Sequence, residues 1–150
     1  MVITKRNLFV VVFLTIITFG IYNIYWNASV QNQLYQKTGK GFEGLVHVLL
    51  QLFVSPYLIY WFFVVSPRIG AAGGKNRGPI YGIINLAGMV GGLVLMVMGM
   101  DLVNSADASA GFEFNSLYWI GLIVMGVAMV VPMVMIQYDI NKIKFVPDPQ

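Results

Sequence analysis

The chain of 150 residues contains no cysteine and a single histidine, and only 10% of its residues are charged. Without cysteine there is no disulfide framework, no thiolate metal ligand and no thiol nucleophile. One histidine and no H-E-x-x-H pattern leave too few groups for a nucleophile with its base or for a zinc site. The expectation is a protein that is not an enzyme and needs no cofactor or metal. The nine basic residues are scattered through short polar segments rather than gathered on one face, which argues against a nucleic-acid partner. Apolar residues are abundant instead, at 58%. A chain so far below the roughly one-quarter charged residues of soluble domains is expected to have the lipid bilayer as its partner and solvent.

At roughly 1.5 Å per helical residue, about 30 Å of hydrocarbon needs about 20 apolar residues. The runs 8–26, 45–65, 79–100 and 117–136 meet that length. The expected fold is therefore all-α: a polytopic membrane protein, one domain over 1–150, built as a bundle of four transmembrane helices. The first run follows Lys5 and Arg6 and could be taken for the core of a secretory signal. It closes in Tyr22-Asn23-Ile24-Tyr25-Trp26 rather than in small residues, so it is expected to remain as a span. Pro56 should kink the second run, because it lacks an amide donor. A helix is expected to continue past the first run until Gly39 and Gly41, and Asn115 or Ser116 to cap the fourth. The segment 101–116, with three acidic residues and no basic one, reads as a polar loop.

Within the runs, polar residues recur at helical steps. Thr15, Thr18 and Tyr22 form one stripe and His47, Gln51 and Ser55 another. Because a polar group turned toward lipid lacks partners, these six and Asn85 are expected to share a polar interior. Small residues mark the packing seams: Gly88, Gly92 and Gly99 in the third run, Gly121 and Ala128 in the fourth. Such a face lets another helix approach closely, either within the chain or on a second copy. Tyr25, Trp26, Tyr60, Trp61, Tyr118 and Trp119 lie at run ends and suit an interfacial belt.

Four crossings would put seven basic residues on one side and two on the other, which places both termini in the cytoplasm and the loop around Lys40 outside. The echo of Tyr22-x-x-Tyr25-Trp26 in Tyr57-x-x-Tyr60-Trp61 would then run antiparallel, as in an inverted repeat. Arg6-Asn7, the sequence Thr18-x-Gly20-Ile21-Tyr22-x-x-Tyr25-Trp26 and the ending Gln137-x-Asp139-Ile140-Asn141 resemble the prokaryotic membrane family catalogued as domain of unknown function 4234. That resemblance implies a small integral membrane protein of the cell membrane and carries no catalytic residue over. The expected function is that of a non-enzymatic component that packs helices against itself, as a homo-oligomer, or against a larger membrane protein. The alternative is a small oligomeric transporter or channel, which would need an ionisable group inside a span; every Asp and Glu lies outside the four runs.

Overall fold

The structure, a computed structural model, describes residues 4–54, 56–103 and 111–143. Among these the chain forms α1 (Leu8–Ile17), α2 (Ile21–Thr38), α3 (Gly44–Phe53), α4 (Tyr57–Ala71), α5 (Ile80–Met98), β1 (Met100–Val103), β2 (Gly111–Phe114) and α6 (Ser116–Asn141). It is a helical protein with one small hairpin of strands. Two helices, α5 and α6, are long and apolar enough to cross a membrane. The expectation of four spanning helices is thereby corrected, because the runs 8–26 and 45–65 each break in the middle.

The first break is built by Thr18, Phe19 and Gly20. The Thr18 hydroxyl donates to Leu14 O (2.7 Å) and accepts from Tyr22 N (2.9 Å), so one side chain ends α1 and caps α2. Gly20 takes φ +87° and Phe19 φ +48°, left-handed backbone that reverses the chain; only glycine enters it without strain. The amides of Thr18, Phe19, Gly20, Ile21 and Asn23 all reach carbonyls within the turn. At the second break Pro56 has no amide to satisfy, Val54 N reaches Leu50 O, and Tyr57 N reaches Val54 O. The expected kink is a complete interruption: α3 stops at Phe53 and α4 starts at Tyr57.

Each break folds the chain back on itself. Thr4 N meets Gln33 Oε1 and Arg6 Nη2 meets Ser29 Oγ, so α2 returns to where α1 began. Gln31 donates to Phe42 O and accepts from Arg68, which puts the ends of α2 and α4 and the start of α3 together. The hairpins α1–α2 and α3–α4 are copies of one design. Both rising helices have ten residues. The buried positions 26, 27, 30, 31 and 34 of α2 recur in α4 as 61, 62, 65, 66 and 69, each shifted by 35. The two descending helices run parallel, with Trp26 and Trp61 edge to face at 6.3 Å. This corrects the inverted-repeat expectation: the repeat is direct, because each echo follows a reversal rather than closing a crossing.

α5 and α6 form an antiparallel pair along a seam of small residues. Gly88 faces Ala128, Gly92 and Gly121 face each other, and Gly99 faces Tyr118, with no space for a Cβ at any of the four glycines. Asn115 caps α6 by accepting from Leu117 N at 2.9 Å. Where a loop was expected over 101–116, β1 and β2 pair antiparallel from Met100 with Phe114 to Val103 with Gly111. The α2 stop is as expected, Gly39 taking φ +66° at the helix end.

Candidate functional site

The polar residues that hold this fold together gather at one end, where α1 starts, α2, α4 and α6 finish, and α5 begins. Three residues of the last turns of α6 organise it. Gln137 Oε1 accepts from Trp26 Nε1 (2.8 Å), and Gln137 Nε2 donates to Asn141 Oδ1 (2.8 Å). Asn141 accepts from Arg6 N (3.0 Å) and donates to Arg6 O (2.7 Å). This reciprocal pair clamps the backbone just before Asn7, whose side chain caps α1 through Phe9 N. Arg6 then spreads its guanidinium over the Tyr25 ring and toward Tyr22 and Ser29.

Asp139, between these two amides in sequence, points to the other flank. It is 1% exposed and accepts from Arg77 Nε (2.5 Å), Arg77 Nη2 (2.9 Å) and the Tyr81 hydroxyl. A buried carboxylate held by a bidentate guanidinium has its charge neutralised and both oxygens engaged. The same hydrogen bonds hold the Arg77 guanidinium above its ordinary range. The loop before α5 is thereby locked onto the end of α6, and Ser66 reinforces it by accepting from Arg77 N and donating to Asn76. Asp139 lies beyond the run 117–136 but within the single helix α6. Every carboxylate thus lies outside the four runs, as expected, although Asp139 shares its helix with the fourth.

A second buried amide, Gln31, joins the two hairpins. Its oxygen accepts from Trp61 Nε1 (3.0 Å) and Arg68 Nη1 (2.7 Å), and its nitrogen donates to Phe42 O (2.8 Å). Each repeated tryptophan thus donates to a glutamine on a neighbouring element. Trp26 and Trp61 are core residues with no exposure, which corrects their place in an interfacial belt. Tyr25, Tyr60 and Trp119 are exposed at the surface, and Tyr118 is half-buried.

The expected common interior is divided among separate places. Thr15 is buried against Met133 of α6 and Thr18 serves its own turn, while Tyr22 meets Arg6. His47 is buried between Tyr57, which it meets at 2.8 Å, and the Trp61 ring. Asn85 donates to Ala128 O between α5 and α6. Gln51 keeps a buried oxygen without a partner among the described residues. Ser55 lies outside the described residues. Among the buried residues that sequence reasoning missed are Asn23, Asn27, Gln31, Ser66, Gln137 and Asp139. The signal for the first three was helical spacing: Asn23, Asn27 and Gln31 continue one face beyond the point where the first run was expected to reach water.

The arrangement positions backbone and closes polar groups on one another. No curated protein and no solved structure matches the chain. Its likeness to known sequences lies in the two repeated hairpins joined by Gln31 and the tryptophans: residues 6–71 match the family described as Domain of unknown function (DUF4234).

Proposed function

We propose that the protein is a non-enzymatic integral membrane component, held in the bilayer by the α5–α6 pair and working through helix packing. The observation that carries this reading is where its apolar surface lies. In the most apolar stretches of α5 and α6 only 22% and 28% of residues are buried within the protein, whereas polar side chains such as Gln31, Gln137 and Asp139 are enclosed and hydrogen-bonded to other groups of the protein. A water-soluble domain avoids exposing a continuous apolar surface of this kind, and lipid accommodates it.

Alkaline extraction of membranes tests the reading. The protein should remain in the pellet and partition into detergent, and release into the soluble fraction would overturn it. The alternative of a small oligomeric transporter draws on Asp139, a carboxylate on a candidate spanning helix. Three donors, two of them from one guanidinium, already engage both of its oxygens, which favours a structural role. Asp139→Asn should therefore lower thermal stability; a variant that folds with unchanged stability and loses ion or substrate flux would favour the transporter.

A further inference from the structure

We propose that α1–α2 and α3–α4 enter the bilayer from the basic end of the molecule only, turn near its mid-plane at 18–20 and between Phe53 and Tyr57, and leave by the side they entered. The two hairpins then each reach into one half of the bilayer without crossing it, and only α5 and α6 span. This rests on the membrane reading above and adds to it the side of entry and the depth.

Length sets the depth. α1 and α3 each have ten residues, so each rises about 15 Å, half of the roughly 30 Å of hydrocarbon. The reversals are apolar and outward: Phe19 is 99% exposed and Phe53 81%. Irregular backbone survives at that depth only if its polar groups are satisfied locally. The first reversal meets this condition through the Thr18 hydroxyl, the amides bonded within the turn and the left-handed Gly20. An open groove of about 800 Å³, lined almost wholly by apolar groups such as Phe19, Val127 and Val130, lies between this reversal and the middle of α6, where an acyl chain would fill it.

Charge sets the side. All eight basic residues described fall in segments 4–6, 37–40, 68–77 and at 142, and hydrogen bonds tie these segments together at one end: Arg6 to Asn141, Thr4 to Gln33, Gln31 to Arg68, and Arg77 to Asp139. The other end of α5 and α6 leads into 101–113, whose ionisable residues are all acidic. A single basic side facing the cytoplasm follows the charge rule more fully than the seven-to-two division of a four-crossing chain. Lys40 accordingly moves from the outer face to the cytoplasmic one.

Single cysteines test this: Lys40→Cys and Lys75→Cys, at exposed positions, and Asp107→Cys, in the acidic segment, labelled by an impermeant maleimide in intact and then in permeabilised cells. Labelling of Asp107→Cys alone in intact cells, with the other two appearing on permeabilisation, is the expected result. Lys40→Cys reacting together with Asp107→Cys would restore four crossings and overturn the proposal while leaving the membrane reading intact. Equal reaction of all three, with release by alkali, would overturn both. Depth is read from a nitroxide on Phe53→Cys, expected to show high oxygen and low nickel-chelate accessibility; high nickel accessibility would place the reversal at a surface and overturn the proposal.

Discussion

At Asp139 a carboxylate has been taken out of water and given three donors, two from Arg77 and one from Tyr81. Replacing it by asparagine leaves the guanidinium without a counter-charge and Tyr81 with a weaker acceptor. Loss of one partner of a buried pair costs roughly 3–5 kcal/mol, and because the Arg77 side chain keeps 23% of its exposure, the low end applies. Thermal unfolding in detergent should show this loss, and Arg77→Met with Asp139→Leu should regain most of it. A double variant no better than the single one would mean that the pair does more than neutralise itself. Sequence could not place this pair, since 62 positions separate its members and neither stands in a recognisable motif with the other. The two tryptophans were misread for a related reason. A Tyr-Trp ending suits an interface as well as a core, and only the buried amides following Trp26 distinguish the two.

Among the elements, α5 and α6 were the most legible, because a long unbroken apolar helix shows its whole length as one apolar run. The small-residue seam was visible at Gly88, Gly92, Gly121 and Ala128. It now gives a contrast between adjacent positions. A Cβ at Gly92 would stand 2.7 Å from Gly121 O, while at Gly91 it would meet nothing within 4 Å. Gly92→Ala should therefore cost about 1–3 kcal/mol through overpacking, and Gly91→Ala should gain up to about 1 kcal/mol by stiffening the helix. Opposite shifts in detergent unfolding temperature are expected; equal shifts would deny the seam. The two reversals were illegible because the apolar run continues through them. Phe19 in left-handed backbone leaves no trace in composition, and Thr18-Phe19-Gly20 reads equally as helix interior until the Thr18 hydroxyl is seen serving two backbones. Pro56 did give a signal, but proline in a membrane helix more often marks a bend than an end.

At the scale of the whole molecule, the hairpins make its two ends unequal. Among the described residues, all six helices pass through the basic half, and only α5 and α6 continue to the other, where β1 and β2 stand. In the proposed placement the body is a cone. It takes up more area in the cytoplasmic leaflet than in the outer one, and area added to a single leaflet favours bending toward that side. The protein should concentrate where the cytoplasmic leaflet is convex. In single-vesicle fluorescence, its density should rise as diameter falls on vesicles that carry the basic end outward, scored by trypsin access to Lys37 and Lys40. Vesicles of the opposite orientation should show the reverse trend, and a density independent of diameter in both would mean that the extra helices displace no net leaflet area. In that placement, ten-residue rising helices that stop at mid-depth would give the chain a sense of membrane curvature without any moving part.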